Sequence, residues 1–197
     1  MGEHMRRERK KRKRKKEQMS FRQKATAVFL WVFEILVMVL FAFVVVYFFG
    51  QTRTNVGKSM ELTISDGDKV LLNTLSYRIG SPRRNDVIAF KPNGSATSHT
   101  HIKRVLGLPG EKIEIKDGII YINDSVYLEK ASYPLINNAG LADEPITLGT
   151  KEYFVLGDNR NDSEDSRYAD IGLVNADYIE GKVYFRISPS ENMGFIR

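Results

Sequence analysis

Residues 27–49 constrain this chain more than any other segment. They read AVFLWVFEILVMVLFAFVVVYFF, 23 residues with Glu34 as the only charge, and Ile35 to Phe49 is an unbroken apolar run of 15. A helix of that length spans about 34 Å, enough for a bilayer core of about 30 Å. A removable leader has an apolar stretch of about 7–15 residues and ends at a small-residue cleavage site. Here the run ends Val46-Tyr47-Phe48-Phe49-Gly50, which suits an interfacial aromatic belt better. The expectation is an uncleaved spanning helix at 25–50. Glu34 lies less than three turns from the basic side and reads as a snorkelling or protonated carboxylate.

Charge then sets the orientation. The first 24 residues hold twelve Lys/Arg and three Glu, a net of +9 within a chain whose total is +6. The other 173 residues therefore hold 18 basic and 21 acidic residues. A folded surface that is mildly acidic lacks the basic footprint of a nucleic-acid binder, so no nucleic-acid partner is expected. A basic segment next to a spanning helix stays in the cytoplasm and attracts anionic lipid. The reading is a basic cytoplasmic tail at 1–24, a single-pass helix in the cell (plasma) membrane, and an extracytoplasmic domain at 51–197.

Beyond the helix, Gln51–Val56 reads as a polar linker. Short runs with strand composition follow at Asp68–Leu75, Asp86–Lys91, His99–Gly107, Lys112–Lys116, Gly118–Asn123, Tyr153–Gly157 and Gly181–Ile187. Asp117-Gly118 is a hairpin turn signal. Only a weak stretch at Asn175–Ile179 hints at helical spacing. The expected class is mainly β, a membrane-anchored domain of short antiparallel strands preceded by one transmembrane helix. Residues 124–150 are poorly patterned and read as loops of a subdomain, 107–150, inserted between two halves of the sheet.

The chemistry available is narrow. There is no Cys, and His occurs only at 4, 99 and 101. A hydrolase here would need His99, His101 or a neutral lysine as base. Lysine at its ordinary pKa is roughly 0.4% neutral at pH 8, but burial can lower that pKa by about 3–5 units. Lys103 lies in the apolar stretch Ile102-Lys103-Arg104-Val105-Leu106. Strand alternation puts His101, Lys103 and Val105 on one face and Ile102, Arg104 and Leu106 on the other. His99-Thr100-His101 has too few ligands nearby for a metal site, so no metal or cofactor is expected.

Two further segments complete a pattern. Gly57-Lys58-Ser59-Met60-Glu61-Leu62-Thr63 follows the apolar helix by a few residues, and Gly157-Asp158-Asn159-Arg160-Asn161-Asp162-Ser163-Glu164-Asp165-Ser166-Arg167 is a polar loop after a strand. With Asp86–Phe90 and Lys103–Gly110, these segments resemble, in order, the motifs of the type I signal peptidase family, the membrane-bound serine–lysine endopeptidases. The single anchor and compact outer domain are similar to its short bacterial form.

The resemblance implies a β fold with a small inserted β subdomain, and it implies roles. Ser59 would be the nucleophile and Lys103 the general base. Ser163 would orient the lysine amine, Arg104 would pair with Asp158, and Asp165 with Arg167. The Ser59 N–H would be one oxyanion donor. Some relatives carry a serine where this chain has Gly57, which leaves the second donor open. Leu62 stands where the family usually has proline. Val56, Met60, Ile64 and Ile102 would line shallow apolar pockets for small residues at −1 and −3 of the cleavage site. The partners would be signal peptides of secretory precursors and membrane lipid, and the enzyme a monomer. A repressor-type autoprotease would carry a DNA-binding helix-turn-helix in place of the anchor. A silent, chaperone-like relative would have lost Ser59 or Lys103.

Overall fold

The computed structural model of the chain describes residues 2–95, 97–129 and 131–196. It divides into two units, Met1–Val46 and Tyr47–Arg197. The first consists of helix α1, which runs from Gly2 to Phe49 and ends in the second unit. Its part Ser20–Phe49 is long and apolar enough to cross a membrane, and residues 20–47 are exposed. The basic segment is helical as well, continuous with the apolar one.

The second unit is built on antiparallel strands. These are β1 (Gln51–Thr54), β2 (Lys69–Asn73), β3 (Val87–Phe90), β4 (His101–Gly107), β5 (Lys112–Lys116) and β6 (Ile119–Ile122). After them come β7 (Ser125–Val126), β8 (Ile146–Thr147), β9 (Glu152–Leu156), β10 (Val174–Asn175), β11 (Ile179–Ser188) and β12 (Gly194–Phe195). The larger sheet has the order β1-β2-β11-β3-β4-β9-β10, with β12 beside β11. The smaller has the order β7-β6-β5-β8 and draws all its strands from residues 112–147.

Two local expectations change. The stretch expected as a linker forms β1, an edge strand that pairs only with β2. Its Gln-Thr-Arg-Thr composition has no apolar face to betray it, and backbone pairing carries it. The weak helical stretch at 175–179 reduces to a single 3-10 turn, Ala176–Tyr178, between β10 and β11.

Packing explains why β4 sits at the centre. Residues 102–107 of β4 are buried without interruption, as expected for a strand covered on both faces. Its Ile102 joins one core with Met60, Ile64, Val70, Leu72, Val87, Ala89 and Val183. Val105 joins a second with Ile88, Phe90 and Val155, and Leu106 a third with Ile113, Ile115 and Phe154. Gly107 lies where the two sheets meet. A Cβ there would stand 2.6–2.9 Å from Leu148, Phe154 and Ile113, so no larger residue fits.

Candidate active site

Three pieces of chain converge on one cleft: the turn after β1, strand β4 and the loop after β9. The turn is drawn inward by Met60 and Ile64, which are fully buried in the core below it. The amides of Thr63 and Ile64 both donate to the Met60 carbonyl (2.7 Å each). This leaves Ser59 at the rim, half-buried, with its side chain toward β4.

Lys103 extends from the middle of β4 and its Nζ donates to Ser59 Oγ at 2.6 Å. The lysine is 4% exposed. Burial is the main influence on its ammonium and pushes its pKa down to about 8, against the opposing pull of Asp165 and Glu164. His101 lies two residues earlier on the same face and lines the same cleft. Its pKa is lowered, first by burial and then by the Lys103 charge.

The loop at 157–167 closes the other side. Gly157 begins it, and a Cβ at that position would collide with the Ser163 hydroxyl and stand 2.5 Å from the Ser59 carbonyl oxygen. Only glycine lets the loop approach the turn so closely. The Asn159 amide then donates to the Ser59 carbonyl (2.9 Å), and the Asn159 side chain donates to the Lys58 carbonyl (3.2 Å).

Ion pairs fix that loop from behind. Arg104, on the face of β4 opposite Lys103, makes a bidentate pair with the fully buried Asp158 at 2.7 and 2.6 Å. Thr63 donates to the same carboxylate at 2.5 Å and so links the Ser59 turn to the pair. Asp165 and Arg167, both buried, pair at 2.8 and 2.9 Å. Asp165 also accepts from the Gly157 amide (3.0 Å) and from the Ser163 hydroxyl (2.8 Å). Ser163 therefore donates to Asp165 rather than to Lys103, although both residues line the cleft.

The cleft has a volume of about 490 Å³, and its lining includes Val56, Gly57, Ser59, His101, Lys103 and Ser163. Of the four residues expected as pocket walls, only Val56 presents surface, at 70% exposure. Met60, Ile64 and Ile102 lie in the core beneath the turn and do not line the cleft. For Ile102 the reason is strand alternation, which directs it away from the face of Lys103. Gly57 has φ +87°, and its amide is committed to Asp66 Oδ1 (2.8 Å). Leu62 is 61% exposed, at the surface of the turn. Sequence reasoning missed Thr63 and Asn159 as tethers of the turn. Among the described residues, no three His, Asp or Glu side chains cluster as metal ligands.

The family model and the sequence relatives name one family. The model of the family "Signal peptidase, peptidase S26" matches residues 28–188. The chain is 39% identical over 150 residues to signal peptidase I of Bacillus caldolyticus, covering 71% of this chain and 80% of that protein. It is 34% identical over 169 residues to signal peptidase IB of Staphylococcus aureus, covering 75% and 85%. A crystal structure of a signal peptidase I from Enterococcus faecalis aligns with 32% identity and a TM-score of 0.40, over 52% of this chain and 96% of that one. With its apolar N-terminal helix and a family match over most of its length, this chain belongs to the signal peptidase family, peptidase S26, and is a membrane-anchored serine peptidase.

Proposed function

We propose that this signal peptidase works through a serine–lysine dyad of Ser59 and Lys103. The observation that carries the reading is the 2.6 Å contact between Lys103 Nζ and Ser59 Oγ. With a pKa near 8, a useful fraction of Lys103 is neutral at cellular pH, and the neutral amine accepts the Ser59 hydroxyl proton across this same contact. Ser59 Oγ then attacks the scissile carbonyl. The Ser59 N–H, which donates to no acceptor among the described residues, serves as one oxyanion donor. Lys103 delivers its proton to the leaving amine and afterwards activates the water that hydrolyses the acyl-enzyme. Ser163, Arg104, Asp158, Asp165 and Arg167 hold the loop and the turn in register.

The substrates are precursors cut after small residues at −1 and −3, as the motif resemblance implies. Residues 1–24 are the cytoplasmic tail, 25–50 span the membrane, and 51–197 form the extracytoplasmic catalytic domain, with 107–150 as its insertion. The membrane helix brings enzyme and embedded precursor together and raises their effective concentration. The enzyme acts as a monomer. A synthetic precursor with an Ala-x-Ala site, incubated with the full chain in detergent, is expected to be cut after the second Ala, as read by mass spectrometry. Replacing that −1 Ala by Phe is expected to abolish the cut. Equal cleavage of the Phe precursor at the same bond would refute the small-residue specificity.

A further inference from the structure

Residues 127–129 and 131–141, within the poorly patterned stretch 124–150, lie as a strap along the loop at 157–167. Arg160 is the central contact. It is fully buried and donates Nε to the Gly157 carbonyl at 3.1 Å. Its two terminal nitrogens meet the Glu129 carboxylate at 2.5 Å each, and its guanidinium lies 4.1 Å from the centre of the Tyr133 ring. Tyr133 also shares a side-chain hydrogen bond with Arg104. Further along, Asn161 donates to the Leu135 carbonyl and accepts from the Asn137 amide. Arg167 donates to the Asn138 carbonyl and accepts from the Leu141 amide.

The loop is thus a single layer with the strap on one side and the Ser59 turn on the other. On the turn side it is held by the Asn159 amide on the Ser59 carbonyl. On the strap side it is held by the Arg160 guanidinium on Glu129, together with the hydrogen bonds of Asn161 and Arg167. A buried guanidinium needs a charged partner, and a bidentate carboxylate gives it both charge and direction. Building on the serine–lysine reading, we infer that Glu129 is a positioning residue for peptide hydrolysis, acting through Arg160 to press Gly157–Asn159 against the nucleophile. Tyr133 shares the task by covering the face of the same guanidinium. Without the Glu129 charge, Arg160 turns toward water and draws the Gly157 carbonyl with it. Misplacement of a reacting group by about 1 Å can cost on the order of 100-fold in rate.

The test is Glu129→Gln in the full chain in detergent, assayed on an Ala-x-Ala precursor. The expected result is a fall in kcat of about tenfold or more with KM within about twofold of the parent, since the loss lies in the geometry of attack. The acid limb of kcat/KM is also expected to move up toward the ordinary lysine value. A loosened loop admits water to Lys103, whose pKa is set mainly by burial and secondarily by Asp165, Glu164, Arg167 and Asp158. Glu129→Asp, which keeps the charge, is expected to recover part of kcat. A purely structural residue would lower the melting temperature and leave kcat and the pH midpoint of the folded enzyme unchanged; that result overturns the proposal. If Glu129→Gln does not fold, Tyr133→Leu decides, with a smaller loss of kcat in support and an unchanged kcat against. Ser59→Ala runs beside them. Activity in that variant defeats the serine reading itself, whereas a parent-like Glu129→Gln defeats only the role of the strap.

Discussion

Ser59→Ala and Lys103→Ala are each expected to lower kcat/KM by about 10⁴-fold or more, and the double variant is expected to be no worse than either alone. The size follows from the roles. Removing a nucleophile or its base abolishes covalent catalysis, and residues that act as one unit show strongly non-additive losses. The two side chains share one 2.6 Å contact, so either deletion disables the same proton transfer. Steady-state kinetics of the three variants on one precursor checks this. A double variant markedly slower than both singles would mean two independent contributions. Lys103→Met gives a control for folding. The folded-state pKa of about 8 lies below the unfolded value of 10.5, so the unfolded chain binds this proton more strongly. Stability from this group therefore rises with pH between about 8 and 10.5, and the cost is fully present at pH 7. Methionine removes a buried charge worth on the order of 3 kcal/mol. The variant is expected to be inert yet melt higher than the parent at pH 7.

Asp158→Ala is expected to lower the unfolding free energy by about 3–5 kcal/mol, the cost of leaving one member of a buried ion pair alone. Arg104 and Asp158 are both almost wholly enclosed, so water cannot replace the lost carboxylate without opening the core. Thr63 loses its acceptor in the same change, and the Ser59 turn loses a tether to the loop. The measurement is thermal or denaturant unfolding of the variant against the parent in the same detergent. A loss under about 1 kcal/mol would show that the Arg104 charge is met by other groups.

The sequence was legible where one residue type had one physical use. A run of 15 apolar residues cannot be hidden in a domain this size without a membrane or a large core, and it forms the end of α1. Alternation in β4 is read from Ile102 to Leu106, and it already set Lys103 and Arg104 on opposite faces. The same rule argued against Ile102 as a wall of the cleft, and there the structure follows alternation. Met60 and Ile64 are four residues apart in a tight turn, where one-dimensional neighbourhood to Ser59 says nothing about direction; both point into the core. Strand β1 carries no apolar residue, so side-chain periodicity gave no signal. Glu129 and Tyr133 sit in an irregular segment and meet Arg160 only through tertiary contact, 31 residues away in sequence for Glu129. Nothing local marks such a pair.

The proposed serine–lysine dyad requires a buried, neutral Lys103 to activate Ser59. The pH dependence of kcat/KM between 5 and 11, on a precursor without ionisable groups near the cut, tests it most directly. The expected result is a rise with unit slope through a midpoint near 8, the value to which burial lowers Lys103, because only the neutral amine accepts the serine proton. A midpoint near 6.5, the ordinary histidine value, or a rate that does not change across this range would contradict it.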